Sequence, residues 1–202
     1  DYMDILLERD LKDILNIRRQ EAMENLITVV AAWSTKPVDL SAIGSSLSLQ
    51  RPTLESYLNA LKSLYLIDRI PAYASTDYDR IGKKSKLLMN DSGLMASILR
   101  WKLEDIRLDG DRVGKLIETY VGNELQKLVD ATEDRYVLSH YRDKEKREID
   151  YLVTGPHGDL LGIEVKASTS PSLSDFKHLE WFKNNLVPSN KKFVGIVLYT
   201  GQ

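Results

Sequence analysis

The spacing of apolar residues shifts between the first and second halves of this chain, and that shift calls for a fold in two parts. Up to about residue 100 they recur three or four apart, as on helices with one buried face. Beyond Tyr136 alternation at i, i+2 takes over, as on half-buried strands. In the first part Ile5, Leu6, Leu11, Ile14 and Leu15 predict a helix over 2–15, and Ala22, Leu26, Val29, Val30 and Trp33 a second over 18–33. The stretch up to Pro37 ends it, because a residue before proline is pushed out of the helical region. A helix over 40–47 follows, entered through Asp39 or Ser41, then one over 53–65 with Pro52 in its first turn. Strands at 67–70 and 86–89 and a helix over 91–100 complete this part.

Residues 101–113 are polar and read as irregular, which puts the boundary between a domain of residues 1–100 and one of residues 101–202. Next, 114–130 reads as a helix with Leu116, Ile117, Tyr120, Val121, Leu125 and Leu128 inward. Strands are expected at 136–141, 148–153 and 160–166, with a charged turn over 142–147. A helix from Ser172 or Ser174 to 184 precedes a strand at 193–199, whose unbroken apolar run suits burial on both faces. The predicted class is α+β or α/β, with the second domain in the order α-βββ-α-β.

Composition narrows the chemistry. The 28 basic and 30 acidic residues nearly cancel, so contact with nucleic acid has to come from a local patch. Two short helices, a tight turn and two strands make the layout of a winged helix, with the loop between the strands as the wing. That wing carries Arg80, Lys83, Lys84 and Lys86, with no acid from Arg80 to Asn90. Phosphate contacts are expected from Arg80, Lys83 and Lys84, and from Arg51 and Lys62 near the second helix. The absence of cysteine excludes a disulfide framework, a thiolate zinc site and a cysteine nucleophile. The presence of only three histidines, His140, His157 and His178, argues against an all-histidine metal site. No apolar run is long enough to span a bilayer and no signal peptide is recognised, so a cytoplasmic location is expected. The opening at Asp1 directly into a helical period suggests a larger protein extending beyond one or both termini.

Chemistry concentrates in two strands. In LLGIEVK, Leu161, Ile163 and Val165 point one way and Gly162, Glu164 and Lys166 the other. In EIDYLV the same rule places Glu148 and Asp150 together. Should these strands pair as a hairpin, Asp150 and Glu164 converge, and two ionised carboxylates there repel. A divalent cation would compensate them, and hard oxygen ligands suit Mg²⁺ or Mn²⁺. Lys166 would then stand beside the metal-bound water, either lowering its pKa by charge or stabilising negative charge developing on a phosphoryl oxygen. Asp150, Glu164 and Lys166 together are the equipment of a phosphodiesterase.

Asp150 followed fourteen residues later by Glu164-Val165-Lys166, with an acid on the preceding helix, resembles the PD-(D/E)XK nuclease superfamily. The resemblance implies Asp150 and Glu164 as metal ligands, the Val165 carbonyl as a further one and Lys166 as the catalytic lysine. The helical acid is Glu118 or Glu124; Gly114 four residues before Glu118 matches the family's entry helix and favours Glu118. Ile149 stands where that family usually has a proline. Over nearly the whole chain, LLERDLKDI, TLESYLNALKSLYLIDRIPAY, SKLLMNDSGL, ETYVGNEL, YRDKEKREIDYLV and IEVKAS resemble the C-terminal half of prokaryotic AAA-type ATPases, a winged helix followed by a nuclease-like domain. That implies an ATPase module upstream as partner. No G-x-x-x-x-G-K-[ST] occurs here, so ATP would bind only in that module.

Two functions are therefore expected in competition. One is a DNA-directed module whose nuclease-like domain binds a divalent metal and hydrolyses phosphodiesters. The other is a catalytically inactive accessory region that regulates the ATPase, with Glu8, Arg9 and Asp10 on the helix leading out of it. A transcription factor acting through the winged helix alone ranks third.

Overall fold

The computed structural model describes residues 20–75 and 82–201. The helix expected over 2–15, with Glu8, Arg9 and Asp10, lies outside the described residues, as does Arg80.

Helix α1 (Gln20–Trp33) is followed by α2 (Leu40–Leu47) and α3 (Arg51–Ser63). The Asp39 carboxylate accepts from the Ala42 N–H and so satisfies one of the free amides at the start of α2. Pro52, in the first turn of α3, needs no hydrogen-bond partner there. Met23, Leu26, Val30, Ile43, Leu54 and Leu58 are fully buried between these helices, at the helical spacing seen in the sequence. Strand β1 (Ile67–Ile70) then pairs antiparallel with β2 (Lys86–Met89).

Helix α4 (Ser92–Ile98) begins at Asp91, whose carboxylate caps the Leu94 N–H. The stretch expected to be irregular holds a short helix, α5 (Leu103–Leu108), and α6 (Gly110–Ala131) starts four residues earlier than the apolar pattern suggested. Asp109 is the reason: its carboxylate accepts from the Asp111 and Arg112 amides, and such a cap fixes a helix start without any apolar residue. The face of α6 also differs from expectation, with Tyr120 and Leu128 exposed and Thr119, Gly122 and Asn123 buried.

Strands β3 (Val137–Arg142), β4 (Glu148–Thr154), β5 (Leu160–Lys166) and β6 (Phe193–Tyr199) form one sheet in the order 3-4-5-6. The first three form an antiparallel meander, and β6 runs parallel to β5 after a crossover through a short 3₁₀ turn (Leu173–Phe176) and α7 (Lys177–Leu186). Helix α7 packs Leu179 and Phe182 on one face of the sheet. The other face receives Val121, Leu125 and Val129 of α6. Strand β6 is one of the sheet's two edge strands, and it is not buried on both faces: Val194 is 56% exposed, with Leu198 and Tyr199 partly exposed. Its apolar run cannot reveal which strand ends the sheet.

The two parts share a core. Ile70 and Leu88 of the β1–β2 hairpin are buried with Leu138, Tyr151 and Ile163 of the larger sheet. A bridge between Ala72 and His140 adds backbone pairing across the seam. Buried polar groups link the parts as well: the Met89 N–H donates to Ser34 Oγ, which lies 3.0 Å from Thr119 Oγ1.

Candidate functional site

The candidate site forms where β4 and β5 part. Their paired register reaches Tyr151 opposite Ile163, and the next residues on one face are Asp150 and Glu164. There the Asp150 side chain accepts the Val165 N–H at 2.9 Å, so a carboxylate takes an amide that a neighbouring strand would otherwise bind. Antiparallel pairing thus brings together the two acids that sequence alternation predicts.

Glu164 is 6% exposed and its carboxyl shares a hydrogen bond with Asp150. Burial, the Asp150 charge and that hydrogen bond push its pKa up to about 9, against opposition from Lys166 and Lys86. A proton on Glu164 is therefore one way in which the pair is neutralised. Lys166 Nζ stands 3.7 Å from Glu164 Oε2, on the same side of β5 as expected.

Glu118 points to this site from α6, whereas Glu124 pairs with Lys127 on the surface at 2.8 Å. The two lie about 600° apart around the helix, so they face different ways. Burial raises the Glu118 pKa, the Lys86 ammonium opposes that rise, and the Asp150 charge adds to it. Tyr151 fixes the same turn of α6 by donating its hydroxyl to the Glu118 carbonyl at 2.8 Å.

Lys86 is the residue that sequence reasoning misplaced. Grouped with the exposed charges of the wing, it is instead 0% exposed. Its ammonium donates to Glu118 Oε1 at 2.8 Å and to the Asp150 carbonyl at 3.1 Å, with Asp150 Oδ1 at 3.7 Å. The Tyr151 ring lies beneath it, 5.0 Å from the nitrogen to the centroid. Burial alone would disfavour the charged amine, but Glu118 and Asp150 outweigh it and raise the Lys86 pKa. Lys86 is therefore an ammonium, held between acids of the other part.

Asp150 and Glu164 suit a small hard cation, which commonly binds through one or two carboxylates. The Lys86 ammonium, 3.7 Å from Asp150 Oδ1, supplies part of the compensation that these two acids need. Among the described residues, no group of three histidine or acidic side chains gathers as a metal cage, since the Glu118 carboxylate is turned to Lys86.

The remaining predicted residues lie elsewhere. Arg51 pairs with Glu55, Lys62 with Asp68 and Lys84 with Asp39, all on the surface, and Lys83 Nζ donates to the Tyr73 carbonyl. Such pairs contribute little to stability, and their cations remain accessible. Glu148 pairs with Arg142 at 3.2 Å, and the His178 ring sits against the Glu148 backbone. His140 lies behind Lys84, with Nε2 3.1 Å from that residue's carbonyl. Burial first and the Lys86 charge second lower its pKa to about 4, so the ring is neutral near pH 7.

Residues 113–202 match the family described as domain of unknown function DUF4143. No curated protein and no solved structure matches the chain. Residues 1–105, just over half of the 202, match the family described as domain of unknown function DUF8612, and the chain belongs to that family.

Proposed function

We propose that this chain is the C-terminal region of a cytoplasmic AAA-type ATPase family protein, in which a winged helix is joined to a nuclease-like domain of the PD-(D/E)XK type that takes a divalent cation and acts on DNA phosphodiesters. The observation that carries the proposal is the meeting of Asp150 with Glu164 where β4 and β5 part, with Lys166 beside Glu164. The α-βββ-α-β order of α6, the four strands and α7 supports it. Asp150 and Glu164 would hold the cation, with the Val165 carbonyl as a further ligand; Mg²⁺ or Mn²⁺ would supply charge to stabilise a phosphoryl group. Lys166 would orient and neutralise a phosphate oxygen, while Lys83, Lys84, Arg51 and Lys62 would track the DNA backbone.

The test incubates the purified chain with linear, plasmid and branched DNA and Mn²⁺. Asp150-dependent cutting or metal-dependent binding, lost in D150A and weakened in K166M, is expected. Absence of both, with D150A indistinguishable from the parent, overturns the proposal.

A second reading, an accessory region that transmits the state of an upstream ATPase module, is favoured by the core shared between the parts. Under it, R9E in the full-length protein changes ATP turnover; unchanged turnover, with site variants abolishing a DNA activity, contradicts it.

A further inference from the structure

We propose that the Lys86 ammonium holds the cation position of the acid cluster, so that a divalent metal enters only as Lys86 withdraws, and the seam between the two parts thereby controls the site. This rests on the metal-binding reading above and deepens it.

Three observations carry it. Lys86 is fully buried, so its charge cannot be stabilised by water and depends on its neighbours. Those neighbours are two of the acids expected to serve a metal, Glu118 at 2.8 Å and Asp150 at 3.7 Å, together with the Asp150 carbonyl. A doubly charged ion bound by Asp150 would stand within a few ångströms of that ammonium, and two cations so close repel strongly in a poorly solvated place. Metal and Lys86 are therefore alternatives.

The source of the lysine gives this competition its consequence. Lys86 is the first residue of β2, and its backbone pairs with Ile70 and bridges to Pro37, both in the first part. Its partners Glu118 and Asp150 lie on α6 and β4 in the second. Any rearrangement that draws the β1–β2 hairpin away from α6 removes the ammonium and leaves Glu118 and Asp150 uncompensated, which raises their appetite for a divalent ion. Docking of the hairpin closes the site without any loop having to cover it.

The experiment titrates Mn²⁺ into the wild-type chain and into K86M, with bound Mn²⁺ read by electron paramagnetic resonance. In parallel, acetylation of Lys86 in the wild type is followed by mass spectrometry with and without saturating Mn²⁺. Mn²⁺ binding at least tenfold tighter in K86M, abolished again in K86M/D150A, is expected, along with a several-fold rise in Lys86 acetylation when the wild type is loaded. Equal Mn²⁺ affinity in both proteins, with Lys86 still protected in the loaded wild type, overturns the competition and leaves the metal-binding reading standing. Failure of both proteins to bind Mn²⁺ overturns that reading and this inference with it. Where K86M does not fold, acetylation of the wild type decides: a rise on loading supports displacement, and continued protection contradicts it.

Discussion

The Lys86 ammonium and the Glu118 carboxylate meet at 2.8 Å across the seam between the two parts of the chain. Neither charge is well solvated there, so each depends on the other, and removing one strands its partner. Replacement of Glu118 by glutamine keeps the shape and deletes the charge. We expect E118Q to destabilise the protein by on the order of 3 kcal/mol, the usual cost of breaking a buried pair. E124Q, which loses only an exposed pair with Lys127, should fall within about 0.5 kcal/mol of the parent. Urea unfolding of both variants checks this, and equal effects would mean that the two acids are equivalent.

Gly122 lets α6 approach the sheet. A Cβ at that position would lie 2.3 Å from the Tyr151 hydroxyl and 2.7 Å from its Cζ, and the ring is fully buried. G122A is therefore expected to cost about 1–3 kcal/mol through overpacking, and to weaken the bond from Tyr151 to the Glu118 carbonyl. A shift of the urea midpoint measures the cost. An unchanged midpoint would show that α6 has room to move.

Glu164 makes stability depend on pH. Its folded pKa of about 9 lies above the ordinary carboxylate value, so the folded chain holds a proton that the unfolded chain has released. The sign follows: this stabilisation is fully present below the unfolded pKa and is lost as pH rises through the folded value. Between about pH 5 and 9 the contribution falls with pH, by up to about 1.4 kcal/mol per unit. Melting curves of the wild type should drop across that window, and those of E164Q should be flatter. A parallel decline in E164Q would locate the proton elsewhere.

Lys83 and Lys84 are accessible cations of the first part; among the described residues Lys83 donates to a carbonyl and Lys84 pairs with a surface aspartate. On the DNA-binding proposal, K83A/K84A weakens binding evenly across sequences and reduces the slope of log affinity against log salt by about 2. Fluorescence anisotropy at several salt concentrations reads both effects. An unchanged slope would remove these lysines from the DNA path.

Local signals made much of the fold legible. β1, β2, β5 and β6 occupy the spans that alternation and apolar runs mark out, and Asp39 and Asp91 cap the helices that they precede. The meeting of Asp150 and Glu164 was equally readable, because side-chain direction in a strand follows from period 2 once two strands pair. Lys86 was not, since in sequence it ends a run of basic residues and looks like a solvated charge. Its burial depends on Glu118, 32 residues on, and Asp150, 64 residues on, and no local pattern encodes those contacts. The inward face of α6 was misread for a related reason. Close approach to Tyr151 favours Gly122 and small polar neighbours over the large apolar residues that a periodicity argument looks for.

A double-mutant cycle between Lys86 and Glu118 tests the cluster most directly. Urea unfolding of the parent, K86M, E118Q and K86M/E118Q isolates the coupling between the two side chains. A coupling of about 2 kcal/mol or more, with the double variant more stable than the sum of the single losses allows, is the predicted result. Losses that add to within about 0.5 kcal/mol would show that the ammonium and the carboxylate act independently, and would contradict a lysine held among the acids of the other part.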